Sequence, residues 1–152
     1  MVVLTQVTQM IAKSSHQQYV EAFMLKAGVP VPDKPTNAVD EVIRRRCARL
    51  ILEEAMEAIQ ELGFVYKNGE LLSTHNIVNL AALAKELADS RYVATYAFSC
   101  FGLKDVPFQR IVDQNNLMKF GPGHRFREDG KLLPPPGFVK ADCKEQLAEQ
   151  MS

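Results

Sequence analysis

Apolar residues recur every three to four positions along three stretches of this chain, and clusters of Gly and Pro separate those stretches. That pattern dictates helices before any other feature is considered. Over residues 4–26 the apolar positions are Val7, Met10, Ile11, Tyr19, Val20, Phe23 and Met24, with Ser14-Ser15-His16 weakening the middle and Gly28 as the stop. Residues 29–35 hold three prolines, which no helix interior accommodates, so they read as a loop. A second helix is predicted from a cap at Thr36 or Asn37 to Gly63, through Val42, Ile43, Cys47, Leu50, Ile51, Ala55, Ala58, Ile59 and Leu62. A third is predicted from Thr74 to Gly102, through Ile77, Leu80, Leu83, Ala84, Leu87, Tyr92, Val93, Ala97 and Phe98. A short fourth helix has Pro107 at its first position, carries Phe108, Ile111 and Val112, and ends near Lys119. Beyond it, Gly121-Pro122-Gly123, Asp129-Gly130 and Pro134-Pro135-Pro136-Gly137 read as loop, followed by a frayed helix over 141–151. Lys67-Asn68-Gly69-Glu70 is a turn signal, and Phe64-Val65-Tyr66 is the only brief strand candidate. The expected architecture is all-α: a four-helix bundle in one domain over 1–152, with a core at about 4–120 and an irregular tail at 121–152.

Charge narrows the function classes. With 18 Lys+Arg against 18 Asp+Glu, the chain has no general electrostatic attraction to nucleic acid or to an anionic membrane. Arg44-Arg45-Arg46 with Arg49 looks like a nucleic-acid patch, yet beside Asp40 and Glu41 it reads better as a solvated face with local ion pairs. No apolar run is long enough to span a bilayer, and residues 1–18 lack the signal-peptide pattern. The three cysteines, Cys47, Cys100 and Cys143, form neither a CxxC pair nor a disulfide framework, which suits a reducing, cytoplasmic location. Cys47 and Cys100 read as small core residues, and His16, His75 and His124 show no metal-ligand spacing.

Acidic residues on the apolar stripes are the feature that points to chemistry. Leu52-Glu53-Glu54-Ala55-Met56-Glu57 carries an E-E-x-x-E pattern on the second helix, and Glu86-Leu87-Ala88-Asp89 carries E-x-x-D on the third. At about 100° per residue, Glu53 and Glu57 share a face while Glu54 falls inside the apolar arc. A buried, unpaired carboxylate costs several kcal/mol or takes up a proton, and five brought together repel one another. Divalent cations between the helices remove that cost. Oxygen-only ligands favour hard ions, Mg²⁺ first and Mn²⁺ next. One such motif alone usually marks a solvated face; two on successive helices, both touching apolar stripes, point inward. Di-iron bundles need Glu-x-x-His pairs, which are absent from both motifs.

E-E-x-x-E on one helix followed by E-x-x-D on the next resembles the all-α nucleoside triphosphate pyrophosphohydrolases: the MazG-like proteins, the dimeric dUTPases and the phosphoribosyl-ATP pyrophosphohydrolase-like group. Glu86-Leu87-Ala88-Asp89 with Tyr92-Val93 is similar to the ELADxxYV segment of the last group. Asn116-Leu117-Met118-Lys119 is similar to its N-x-x-K stretch, and Asp129-Gly130-Lys131 followed by prolines to its D-G-K tail. The likeness covers roughly residues 23–138.

This resemblance implies hydrolysis of a (deoxy)nucleoside triphosphate, with dUTP-like or dCTP-like candidates, to the monophosphate and pyrophosphate. It implies Mg²⁺ (or Mn²⁺) held by Glu53, Glu57, Glu86 and Asp89, with Glu54 as general base or, alternatively, as a bridging ligand. Lys119 and Lys131 would hold the leaving pyrophosphate, with Arg125 and Arg127 as weaker additions; Asn116 would contact base or sugar, or serve only as a helix cap. Phe23 would stack on the base or else pack in the core. Two departures bear on base preference: Arg91 stands where relatives carry an apolar residue and is expected on the apolar stripe, and Tyr96 stands where Gly is frequent. Phosphoribosyl-ATP is the weaker substrate, and a non-catalytic helical nucleotide-binding module is the alternative from another class. Helices with apolar residues on more than one face predict a homodimer or homotetramer.

Overall fold

A computed structural model describes residues 12–152. Most of them are helical, with two small antiparallel sheets, so the all-α expectation holds in its coarse form. Residues 4–11 of the first predicted helix, including Val7, Met10 and Ile11, lie outside the described residues. The chain divides into two compact units, residues 15–103 and residues 104–152 with the described residues before Ser15.

In the first unit, α1 (Ser15–Lys26) buries Gln17, Val20 and Met24, spaced to fall on one face. Tyr19, Phe23 and Leu25 are exposed on the rest of it. The helix stops where Gly28 takes φ 71°, letting the Val29 amide donate to the Met24 carbonyl at 2.9 Å. α2 (Glu41–Glu61) starts at Asp40, whose side chain accepts from the Val42 amide at 2.7 Å. The predicted cap at Thr36 or Asn37 is therefore wrong. Thr36 is used instead to anchor the proline loop: its amide donates to the Phe101 carbonyl at 3.0 Å and its hydroxyl accepts from the Ala38 amide.

β1 (Phe64–Lys67) and β2 (Glu70–Ser73) form a hairpin in which Val65 opposes Leu72. Its two turn residues, Asn68 and Gly69, both have positive φ, the conformation a two-residue hairpin turn requires. The turn is legible in the sequence, whereas β2 is not. His75 takes φ 57°, outside the right-handed helical region, so the third helix cannot begin at Thr74, whose amide instead bonds the Gly63 carbonyl at 2.8 Å. α3 (Leu80–Cys100) begins instead at Asn79, whose side chain accepts from the amides of Ala81 and Ala82.

Both α1 and α2 pack on α3. The core of this unit is Val20, Met24, Val29, Cys47, Tyr96 and Cys100, with Ile43, Leu50, Tyr92 and Phe101 against it. Burial and the neighbouring Cys47 push the Cys100 thiol up to about 12, so both read as inert core cysteines. A buried polar group ties α1 to α3: Gln17 Nε2 donates to Ser99 Oγ at 3.0 Å and to the Leu103 carbonyl at 2.7 Å, and Ser99 donates to Glu21 at 2.9 Å. Gly102 is required where α3 ends, because a Cβ there would lie 2.2 Å from the Lys34 carbonyl oxygen.

In the second unit, α4 (Asp105–Leu117) begins two residues before Pro107. Pro107 is thus third in the helix rather than first, still inside the first turn, whose N–H groups have no intrahelical acceptor. A single 3-10 turn (Met118–Phe120) follows, and β3 (Arg125–Phe126) pairs with β4 (Leu132–Leu133). The tail is more ordered than its composition suggests. Asn115 donates to the Val139 carbonyl and accepts from the Ala141 amide. α5 (Lys144–Met151) buries Gln150, whose side chain bonds both backbone groups of Lys104. Among the described residues, no helix is long and apolar enough to cross a membrane.

Candidate functional site

The packing of α2 on α3 sets the geometry of the acidic motifs. Glu54 and Glu57 lie one turn apart on α2, and Glu86 faces them from α3. One carboxylate oxygen from each lies within 4.8 Å of the other two. Among the described residues this is the one cluster of three such groups. Two of its oxygens, Glu54 Oε2 and Glu86 Oε2, are buried with no hydrogen-bond partner. An orphaned, desolvated carboxylate oxygen is costly, and two in one cluster more so.

Glu54 registers this cost. Its pKa is raised by burial first, then by the charges of Glu57, Asp89 and Glu86, with Lys85 pulling the other way. Lys85 is a member of the site that the sequence motifs do not single out. Its ammonium lies 3.0 Å from Glu86 Oε1 and 2.9 Å from Asp89 Oδ2, and those bonds raise its own pKa. The i,i+4 spacing of Lys85 and Asp89 is the available sequence signal. Ser90 donates to the Glu54 backbone carbonyl at 3.3 Å, tying the two helices beside the cluster.

The other predicted residues fall as follows. Glu53 is exposed and stands outside the cluster; Glu54 takes the place expected for it. Asp89 is adjacent to the cluster but paired to Lys85. Phe23 is 56% exposed, so it is not a core residue; its ring meets Tyr92 edge-on at 6.1 Å. Arg91 is exposed, contrary to the expectation that it lies on the apolar stripe. Tyr96 is buried in the core, within 3.5 Å of Arg46.

In the second unit, Asn116, Lys119 and Lys131 line one cleft of about 500 Å³ with Asp113, Leu117, Phe120 and Leu132. Lys119 donates to Asn116 Oδ1 at 2.8 Å and stands 6.0 Å from the Phe138 ring centre. Two ammonium groups, an amide and an apolar wall suit an anion carrying an organic group. Arg125 is exposed on β3 and is not among the lining residues. Arg127 is paired to Asp129, whose carboxyl that pairing and the Lys131 amide hold down to about 2.

Chemically, the α2–α3 cluster offers oxygen donors only, in the mode that hard divalent cations take. Comparison with protein-family models and with curated proteins finds no match for the chain.

Proposed function

We propose that this protein is a divalent-cation-dependent hydrolase that splits a (deoxy)nucleoside triphosphate between its α- and β-phosphates, releasing the monophosphate and pyrophosphate. The single observation that carries this reading is the convergence of Glu54, Glu57 and Glu86, with two buried, unsatisfied oxygens in the cluster. Those donors fit Mg²⁺, or Mn²⁺, better than any soft metal. Glu54, Glu57 and Glu86 would hold the ion, with Asp89 joining once released from Lys85. The bound ion supplies Lewis acidity toward phosphate oxygens and a lowered pKa for its water. The sequence resemblance to the all-α nucleoside triphosphate pyrophosphohydrolases supports the same reading, and with it the bundle type, a cytoplasmic setting and the dUTP-like or dCTP-like substrates.

The remaining roles follow from the chain's own groups. Its place in the cluster fits Glu54 as a ligand, and its raised proton affinity fits it equally as the general base. The resemblance gives Lys119 and Lys131 to the pyrophosphate and Asn116 to sugar or base, and these three residues share one cleft within their own unit. Arg125, outside that cleft, is left as a solvent-side cation. Phe23, exposed and steadied by Tyr92, offers a face for a base to stack on.

One observation favours a second reading. Lys85 already supplies a positive charge to Glu86 and Asp89, as a permanent substitute for a cation would in a non-catalytic nucleotide-binding module. Incubation with dUTP, dCTP, dTTP or ATP and Mg²⁺, followed by a pyrophosphate assay, separates the two. Release from at least one nucleotide, abolished in Glu57→Gln, is expected. Nucleotide binding with no release from any of them contradicts hydrolysis and supports the module.

A further inference from the structure

Exposed rings collect at one margin of the second unit. Phe120 and Phe126 are 58% and 57% exposed, and the exposed His124 ring links them, its centre 5.7 Å from that of Phe120 and 6.1 Å from that of Phe126. The β3–β4 register sets Phe126 opposite Leu132, which puts both side chains on the same face of that pairing. Leu132 and Phe120 both line the cleft that holds Lys119 and Lys131. The rings therefore continue the apolar wall of that cleft outward as a shelf. The turn that carries them is held: the His124 amide donates to the Gly121 carbonyl at 3.1 Å, and its Nδ1 lies 3.3 Å from the same oxygen. Keeping three neighbouring rings in water forgoes their burial, and a contiguous exposed patch of this kind marks a binding surface.

The charge beside the shelf identifies what it takes. Among the described residues, neither Lys119 nor Lys131 is paired to a carboxylate; the ion pairs of this unit join Arg127 to Asp129 and Lys144 to Asp142. Asp113, the acid among the lining residues, accepts from Gln109 Nε2 at 2.7 Å. Net positive charge thus meets flat aromatic faces in a cleft of about 500 Å³, a size that small ligands fill. The complement of such a site is a phosphate carrying a planar ring: ammonium groups take the anion, and the ring stacks on the exposed faces. Nucleotides are the class that unites the two.

We infer that the second unit binds a nucleotide by its own side chains, with the base on the shelf of Phe120, His124 and Phe126 and the phosphates at Lys119 and Lys131. The face that recognises the base is then in the second unit rather than at Phe23 of α1. This binding needs no metal ion, because lysines supply the positive charge. The choice of a nucleotide over other ring-bearing phosphates rests on the proposed hydrolysis of nucleoside triphosphates; the shelf and its cleft do not.

Calorimetric titration of the full chain in EDTA with dUTP, dCTP, ATP and inorganic tripolyphosphate tests this. At least one nucleotide should bind about tenfold tighter than tripolyphosphate, which carries comparable charge but no ring. Phe120→Leu and Phe126→Leu keep an apolar side chain and remove the ring. Each should weaken that nucleotide about tenfold and leave tripolyphosphate unchanged. Phe126→Trp should bind as the wild type does, and Phe23→Leu should have no effect. All three positions are exposed, so circular dichroism should be unchanged. Tripolyphosphate binding as tightly as every nucleotide overturns the shelf. Nucleotide binding lost in Phe23→Leu but kept in both shelf variants also overturns it, and places the base on α1. An oligothymidylate that binds more tightly than any mononucleotide overturns the inference in favour of single-stranded nucleic acid. If no nucleotide binds in EDTA yet pyrophosphate is released with Mg²⁺, the inference falls and the hydrolase reading stands. Shelf-dependent binding in EDTA without release under Mg²⁺ upholds the inference and contradicts hydrolysis.

Discussion

Replacing Glu54 by Gln should stabilise the metal-free protein and abolish its response to divalent cations. Glu54 shares a space 4.8 Å across with the carboxylates of Glu57 and Glu86. At that distance, like charges repel by about 1 kcal/mol per pair at the dielectric of water, and by more in a drier site. Two such pairs, less the attraction of Lys85, leave about 1–2 kcal/mol for the neutral amide to recover. For a chain of this size that is a rise of roughly 3–6 °C in melting temperature. The pH dependence has a definite sign. Folding raises the Glu54 pKa, so the stability linked to its proton is fully present below the unfolded pKa and lost as pH rises through the folded one. The advantage of the Glu54→Gln variant should therefore appear at neutral pH and vanish in acid. Saturating Mg²⁺ reverses the order: a ligand at a hundredfold its Kd adds about 2.7 kcal/mol to the wild type, and the variant should gain little. Thermal melts with and without chelator, at neutral and at mildly acidic pH, test all of this. A Glu54→Gln protein less stable than wild type in chelator at neutral pH would refute the electrostatic reasoning.

Lys85→Met removes the charge bound to Glu86 and Asp89, and calorimetric titration should show Mg²⁺ binding a few-fold tighter, because the ion no longer competes with an ammonium group. Lys119→Ala or Lys131→Ala should raise KM for the triphosphate about tenfold and weaken pyrophosphate inhibition to match, leaving Mg²⁺ affinity unchanged. Gly102→Ala should cost about 2 kcal/mol or more in chemical denaturation, since the new methyl meets the Lys34 carbonyl and φ stays at 67°.

How far the sequence reaches depends on whether a residue's partner is local. Helical spacing locates α2 and α3, and Asn68-Gly69 locates the hairpin turn. The helix starts are misplaced because Thr36 and Thr74, both good caps by type, use their hydroxyls in short turns toward the Ala38 and Asn76 amides, and the chain does not continue as helix from either, His75 taking φ 57°. Strand β2 is invisible because Glu70–Ser73 is too short to show alternation, and all four residues are exposed. In the acidic motifs, periodicity places Glu54 on the inner arc, where it is found, but cannot separate Glu53 from Glu57. Both lie off that arc, and only the approach of α3 brings Glu57 to Glu86 while leaving Glu53 outside. Lys85 escapes notice because a lysine beside two acids on a helix is ordinarily a surface pair. The convergence of Asn116, Lys119 and Lys131 is anticipated only through the resemblance, since their cleft depends on how the tail folds over α4.

Hydrolysis requires the oxygens of Glu54, Glu57 and Glu86 to hold a hard cation. Crystals soaked in Mn²⁺ and measured at its absorption edge test this without reference to turnover. An anomalous peak coordinated by all three side chains is expected, absent in Glu54→Gln. An empty cluster at saturating Mn²⁺, with Lys85 still bound to Glu86 and Asp89, would contradict it.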